Sequence, residues 1–182
     1  KGGIPYRVTV VLLAYDSSTV PNLPKTLDAL GVRTKAHPVK VTYNVPSGGD
    51  SGYAFVQTVV DKYLSAEDRN TLVQGPNKEL QSKWTAGLNV LRGLNAYTYG
   101  KNGTYPANNA ETLKDLATGL VDMASVWSDQ FASGQKAGTI PANMKVIQIA
   151  NPPFTGGAAY LGIPRTSKNY AAARLLANWV LS

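Results

Sequence analysis

The chain has 182 residues, of which 43% are hydrophobic and 16% charged, and it contains no cysteine. This is the composition of a globular domain with one sizeable core, and it excludes a disordered protein, disulfides and thiolate metal sites. The net charge of +7 raises nucleic acid as a partner, but the basic residues are scattered and form no continuous run, so we expect no nucleic-acid binding.

The first quarter of the chain predicts two strands and a short helix. Val8–Tyr15 is an apolar run of strand length, and the sequence nowhere holds an apolar stretch long enough to span a membrane. Thr26 is expected to cap a helix that Gly31 ends. The alternation over Val39–Tyr43 predicts a second strand, and residues 44–49 have the composition of a turn.

The middle of the chain predicts three helices. From Gly52 onwards, apolar residues recur every four positions, which indicates an amphipathic helix. Ser65 and the acidic residues behind it predict the start of a second helix. Asn77 is expected to cap a third, longer helix, and residues 97–109 form a loop rich in Gly, Asn and Tyr.

The last third of the chain alternates again between helices and strands. A helix is predicted over Glu111–Thr118, and a final helix over Asn169–Leu181 has Ser167 as its expected cap. Three strands are predicted, over Leu120–Val126, Val146–Ile149 and Ala158–Ile163. Because strands and helices alternate throughout, we expect an α/β fold with a sheet covered by helices on both faces. No internal repeat or linker is present, so residues 1–182 are expected to form one domain.

Gly49-Asp50-Ser51-Gly52 resembles the surroundings of a nucleophilic serine, which raises the hypothesis of a serine hydrolase that uses Ser51. Such a serine needs a histidine base held by a third group. The only histidine, His37, is too close before Ser51, and the glycine frame of an α/β-hydrolase elbow is incomplete. We therefore expect a solvent-facing His37 and no catalytic residues, and we keep the hydrolase as an alternative.

The same stretch lies between a strand and an amphipathic helix, so Asp50 or Ser51 is expected to be the helix N-cap. Free N–H groups at such a helix start can meet a polar or anionic group, although an ordinary cap without a ligand is the alternative. Trp127 falls where a strand leaves the sheet, which is the usual place for ligands in open α/β folds, and it is equally compatible with a core position. With one histidine and no cysteine, we expect no metal site, and no nucleotide motif indicates a cofactor.

Taken together and in order, five stretches resemble the extracytoplasmic solute-binding proteins of bacterial ABC importers, in the group that includes thiamine-, iron- and polyamine-binding receptors and YnjB-like proteins. They are VLLAYDSSTV at 11–20, Pro24–Leu30, Val41–Val56, Gly119–Met123, and Gly162–Pro164 followed by Ala171–Ser182. The resemblance implies one three-layer lobe of a type II periplasmic-binding-protein-like fold, with a central mixed sheet flanked by helices. It also implies that the first lobe of the family is missing before residue 1.

The resemblance further implies a protein that captures a small solute for import without chemistry and hands it to a membrane permease. The solute is expected to be thiamine-like, a sugar, a polyamine or a ferric complex, and the ligand-binding residues to be Tyr15, Ser51, Gly52, Tyr53, Trp127, Ser128 and Tyr160. We expect a monomeric protein that is periplasmic or otherwise extracytoplasmic, with a lipid anchor in the full-length protein as an open alternative. A basic module that binds polyanions remains the third hypothesis.

Overall fold

The computed structural model describes residues 3–48, 51–101 and 104–182. The strands in these ranges are β1 (Ile4–Asp16), β2 (Val41–Thr42), β3 (Met123–Trp127), β4 (Met144–Ile147) and β5 (Gly156–Leu161). The α-helices are α1 (Leu27–Ala36), α2 (Ser51–Asp61), α3 (Ala66–Gln74), α4 (Thr85–Asn95), α5 (Asn109–Ala117), α6 (Ser128–Lys136) and α7 (Tyr170–Leu181). Short 3₁₀ helices at Pro46–Gly48 and Glu79–Trp84 precede α2 and α4.

The strands form one mixed sheet in the order β2-β3-β1-β4, and β5 also pairs with β1. The long strand β1 is antiparallel to β3, β4 and β5, whereas β2 and β3 are parallel. Because β2 and β3 run in the same direction, both end at the same edge of the sheet. The chain then enters α2 and α6 from this edge, which we call the site edge.

Helices cover both faces of the sheet. On one face, Val11, Leu13 and Met123 pack with buried residues of α1, α2 and α4. On the other face, Ala14, Ala124, Val126 and Ile140 pack with Leu116 of α5 and Phe131 of α6. Successive strand residues point to opposite faces, which is why the apolar run of β1 supplies both cores. The predicted α/β fold with a central mixed sheet flanked by helices is confirmed.

The predicted end of α1 at Gly31 is wrong. Thr26 caps the helix as expected, since its Oγ1 accepts the N–H of Ala29 at 3.2 Å, but the helix continues to Ala36. A single helical glycine costs only about 1 kcal/mol. Burial of Leu27, Leu30 and Thr34 along one side of α1 outweighs that cost.

Two predicted strands are shorter in the structure. β2 contains only Val41 and Thr42, because Val39 has a left-handed backbone with φ 62° and cannot extend the strand. β3 begins at Met123 rather than Leu120, since the N–H groups of Leu120 and Val121 bond back to the carbonyl of Asp115 and close the end of α5.

The helix caps predicted from the sequence agree with the structure only in part. Ser65 caps α3 as predicted, accepting the N–H of Asp68 at 3.0 Å. Asn77 accepts the N–H of Glu79 at 2.9 Å, but a 3₁₀ helix rather than an α-helix follows it. Ser167 is not the cap of α7: its hydroxyl accepts the N–H of Asn169, which is the residue before the helix.

The first half of β1 leaves the sheet together with β5. Residues Ile4–Val10 pair with Gly156–Leu161, and most side chains of this two-stranded ribbon are exposed. α7 is also exposed along apolar side chains, notably Leu175, Leu176 and Trp179. Across the described ranges, the search for a helix of membrane-spanning length and hydropathy found none.

Candidate functional site

α2 begins in a crowded part of the site edge. The strand residue Thr42 is followed by Tyr43 and Asn44, both buried, and the chain then turns through the 3₁₀ helix Pro46–Gly48 to reach Ser51. The predicted cap Asp50 lies outside the described residues. Tyr43 stacks on Phe55 of α2 with ring centroids 4.4 Å apart, and this contact fixes the helix against the end of β2.

A buried polar cluster holds the first residue of α2. The Ser51 hydroxyl lies 2.9 Å from Asn44 Oδ1, from Asn109 Oδ1 and from the carbonyl oxygen of Ser125. Ser51, Asn44 and Ser125 are 0% exposed, and Asn109 is 7% exposed. We call these four residues the serine cluster. It joins the ends of β2 and β3 to the starts of α2 and α5.

The serine cluster already uses donors that a ligand would need. The N–H of Ser51 donates to Asn109 Oδ1 at 3.3 Å, and the N–H of Gly52 donates to Asn44 Oδ1 at 2.6 Å. Helix N-termini attract anions through their free N–H groups. Since Asn109 and Asn44 satisfy these two donors, the N–H groups of Ser51 and Gly52 serve in this structure to fix the start of α2.

The geometry around Ser51 also bears on the hydrolase hypothesis. Each recorded partner of the Ser51 hydroxyl is an amide or peptide oxygen, none of which is a base that removes a proton at neutral pH. His37 is exposed at the end of α1, as predicted. Among the described residues, the partners of this buried hydroxyl do not include the base that a serine nucleophile requires.

The second corner of the site edge is formed by the end of β3 and the start of α6. Trp127 is the last residue of β3 and the residue before α6, and its ring is partly exposed while packing against the core on the α2 face. Ser128 Oγ accepts the N–H of Val10 at 3.2 Å. Asp129 accepts a hydrogen bond of 2.8 Å from Thr9 Oγ1 and lies 3.0 Å from the Arg7 guanidinium.

The structure brings five of the seven predicted binding residues to the site edge. The first three residues of α2 are Ser51, Gly52 and Tyr53, and the neighbouring corner is formed by Trp127 and Ser128. The two corners are joined because the Ser51 hydroxyl bonds the carbonyl of Ser125, two residues before Trp127. Tyr53 is 53% exposed. The first corner therefore has an exposed aromatic side chain, Tyr53, and the second a partly exposed one, Trp127.

The other two predicted residues lie elsewhere. Tyr15 pairs with Met123 at the opposite end of β3, about 13 Å along the strand from Trp127. Tyr160 is 60% exposed in the ribbon, where it pairs with Pro5. Neither lies at the site edge, and their contact with a solute stays a prediction.

Sequence reasoning missed the residues that build the site. Asn109 was placed at the end of a loop, although it holds Ser51 from 58 positions away. The capping pattern of Asn108 and Glu111, in which Asn108 Oδ1 accepts the N–H of Glu111 at 3.0 Å, was the available signal for a helix start there. α6 was also missed, because Ser128 and Asp129 form a short polar start without an apolar repeat.

Burial raises the pKa of two groups near these elements. The pKa of Tyr43 lies far above its ordinary value because its ring is buried and its hydroxyl bonds to Tyr105, so Tyr43 remains a neutral phenol. The pKa of Asp115 in α5 is raised by burial and by the nearby Glu111 carboxylate. Within the described part of the chain, no three His, Cys, Asp or Glu side chains lie together in a way that could hold a metal ion.

The full chain, residues 1–182, matches the family model described as bacterial extracellular solute-binding protein. No curated protein sequence matches it.

Solved structures share the fold at low sequence identity. An ABC transporter solute-binding protein from Agrobacterium radiobacter K84 in complex with ribitol is similar over 99% of this chain, with a TM-score of 0.72 and 14% identity. The spermidine/putrescine substrate-binding protein PotD from Streptococcus pneumoniae gives 0.68 and 15%, and the TpPotD lipoprotein of Treponema pallidum gives 0.67 and 12%, each over 100% of this chain. The chain covers 49%, 48% and 50% of these three proteins, which is about half of each.

Proposed function

The chain belongs to the family of bacterial extracellular solute-binding proteins, and from that premise we propose that it forms a solute-binding lobe of the substrate-binding component of an ABC importer. The members of this family work outside the cytoplasm, so this is a periplasmic or otherwise extracytoplasmic protein. In this proposal the lobe captures a small solute without chemistry and presents it to a membrane permease.

One observation carries the proposal, namely that two strand-to-helix corners expose aromatic rings at the same sheet edge. Ligands of open α/β sheets bind outside the carboxyl ends of the strands, which is where β2 and β3 end. Tyr53 is 53% exposed at the start of α2, and Trp127 remains partly exposed at the end of β3 while packing against the core. The serine cluster beside them is buried, and the Ser51 hydroxyl in it is held by oxygen atoms of the chain itself, which ties the start of α2 to the end of β3.

The exposed chemistry of the site edge favours a small organic solute over a bare metal ion. Ring faces stack on the apolar faces of sugars and on organic cations. Asp129 supplies a carboxylate at this edge, and Arg7 partly neutralises it. The known relatives include proteins described with ribitol, with spermidine and putrescine, and with thiamin, so sugars, polyamines and thiamine-like compounds are all reasonable probes.

We also propose that residues 1–182 form one lobe, and that a second lobe in the full-length protein covers α7. The exposed apolar side chains of α7 support this, because Leu175 and Trp179 are 71% and 73% exposed in the present chain. Monomeric proteins rarely leave such neighbouring apolar side chains in water. The similar proteins are about twice as long as this chain, which is consistent with a second lobe.

The binding proposal can be tested by calorimetric titration of the full-length protein with ribitol, spermidine and thiamine. We expect one of these probes to bind, and W127A and Y53A each to weaken that binding about five- to thirtyfold, since stacking on an aromatic face contributes roughly 1–2 kcal/mol. Y63A is the matched control, because Tyr63 is similarly exposed but lies beyond the other end of α2. Binding that survives both site variants unchanged, or no binding of any probe, would contradict the proposal.

Two further readouts address the remaining parts of the proposal. Mass spectrometry of the solute after incubation is expected to recover it unaltered, and a chemically changed solute would argue for an enzyme. Acrylamide quenching of Trp179, isolated by comparison with W179F, should be strong in residues 1–182 and weak in the full-length protein. Equal quenching in both proteins would contradict the second-lobe assignment.

A further inference from the structure

A network of side chains joins the N-terminal half of β1, which pairs with β5, to the first turn of α6. Thr9 Oγ1 donates to Asp129 Oδ1 at 2.8 Å and lies 3.1 Å from Ser128 Oγ. The Arg7 guanidinium lies 3.0 Å from Asp129 Oδ2, so β1 residues contact both carboxylate oxygens. We call Arg7, Thr9, Ser128 and Asp129 the β1–α6 clamp.

The clamp lies at the boundary between the ribbon and the sheet. β1 pairs with β5 over Ile4–Val10, and its pairing with β3 begins at Val11 opposite Trp127. The N–H of Val10, the last ribbon residue, donates to Ser128 Oγ at 3.2 Å. The row of hydrogen bonds between β1 and β3 is thus extended by one residue, because the Ser128 side chain of α6 accepts the N–H of Val10.

Arg7 and Thr9 are suited to hold one partner together. They are two residues apart on a strand, so their side chains project from the same side, and both reach the same carboxylate. Hydrogen bonds to a charged carboxylate are stronger and more directional than those between neutral groups. Asp129 lies in the first turn of α6, where a negative charge is also favoured by the helix dipole.

We propose that Arg7 and Thr9 are positioning residues that hold the corner of Trp127, Ser128 and Asp129 in register with the ribbon. A change in the direction of the ribbon then moves the first turn of α6 and the Trp127 ring with it. The proposal rests on the proposed function only in treating Trp127 as a solute-facing residue. The link between ribbon and corner is a property of the protein without solute.

Amide hydrogen exchange tests this link without any solute. In the first turn of α6, the N–H groups of Phe131 and Ala132 donate to the carbonyls of Trp127 and Ser128, respectively. We expect T9V, which keeps the side-chain shape but removes the hydroxyl, to accelerate exchange at these two amides about fivefold or more. R7Q and D129N should have the same local effect, while the core amides of Leu13 and Met123 exchange at the wild-type rate.

If the clamp only stabilised the protein as a whole, without holding α6 in place, T9V would change amide exchange in a different pattern. T71V and K83Q are the matched controls: Thr71 bonds the carbonyl of Glu67 on exposed α3, and Lys83 pairs with Asp68 far from α6. Neither control should change exchange at Phe131 and Ala132. An equal rise at all slowly exchanging amides in T9V, or no change at Phe131 and Ala132, would overturn the proposal.

The orientation of Trp127 supplies a second readout. Its indole N–H resonance can be assigned among the three tryptophans by comparison with W127F. R7Q, D129N and the double variant should each shift this resonance, and the double variant should shift it less than the sum of the two, because the residues act on one contact. Additive shifts, or an unmoved resonance, would count against the clamp. These results are independent of the solute titrations, so either proposal can fail while the other stands.

Discussion

The N–H of Gly52 donates a hydrogen bond of 2.6 Å to Asn44 Oδ1, and a Cβ built on Gly52 would lie 1.8 Å from the Asn44 backbone carbonyl oxygen. This contact explains why the second residue of α2 has no side chain. The helix start lies directly against the backbone that leaves β2. Only glycine permits that approach, and the approach lets the Asn44 side chain accept the N–H of Gly52.

G52A is therefore expected to destabilise the protein by about 3 kcal/mol or more, since backbone atoms must move to admit the methyl group. G93A is the control, because Gly93 is an exposed residue of α4 with no atom within 4 Å of an added Cβ. G93A should stabilise the protein by about 0.5–1 kcal/mol through higher helix propensity. Urea denaturation of the two variants measures both effects, and a G52A protein of wild-type stability would contradict the contact.

S51A tests the role of the serine cluster. Removal of the Ser51 hydroxyl takes a buried donor away from the oxygen atoms around it and leaves a small void, so we expect a loss of about 1–3 kcal/mol in the free energy of unfolding. S82A removes an exposed hydroxyl bonded to the carbonyl of Glu79 and should change stability by less than about 0.5 kcal/mol. If S51A were as stable as the wild type but abolished an esterase activity, the hydrolase hypothesis would replace the structural one.

Asp16 is expected to make stability depend on acid pH. Burial raises the pKa of its carboxyl, but hydrogen bonds from Ser18 and Asn143 outweigh burial and leave the pKa below its ordinary value of 3.8. The charged form is thus favoured in the folded state. Its contribution is present above pH 3.8 and is lost as the pH falls through the lowered folded pKa.

D16N should consequently lose about 1 kcal/mol of stability near neutral pH and little at a pH well below 3.8. E67Q, at an exposed position of α3, controls for the removal of a carboxylate. Denaturant unfolding at both pH values measures the difference. A D16N deficit that persists undiminished in strong acid would show that charge is not its source.

Asp61 is expected to have the opposite dependence. Burial raises the pKa of its carboxyl, and the nearby Arg69 only partly offsets this; in addition, Asp61 is the last residue of α2, where the helix dipole disfavours a negative charge. The charged form is therefore disfavoured in the folded state above the raised pKa. Below the ordinary value of 3.8 both states are protonated and the penalty disappears.

D61N should therefore raise the stability near neutral pH by about 0.5 kcal/mol and have no effect in acid. D28N provides the contrast, because Asp28 lies in the first turn of α1 and pairs with Lys62. Loss of that charge should lower the stability by a few tenths of a kcal/mol. Thermal unfolding of both variants measures the signs, and a destabilised D61N would refute the assignment.

The sequence by itself determined the layered α/β fold and the element types of its strongly patterned segments. The apolar run of β1, the period-four repeat of α2 and the cap at Ser65 each depend on neighbours a few positions away, so local sequence contains the needed information. The position of Trp127 at the end of a strand was also predicted correctly, for the same reason.

Only the tertiary structure decided what those residues do. Ser51 has the local pattern of a nucleophile or a ligand-binding cap. In the structure it is instead a buried residue that bonds to Asn109, 58 positions away, and to Ser125, 74 positions away. Asp129 likewise takes its role from Arg7 and Thr9, which lie about 120 positions before it. Hydrogen bonds require approach within about 3 Å, and such approach between distant segments is set by sheet register and helix packing rather than by any local pattern.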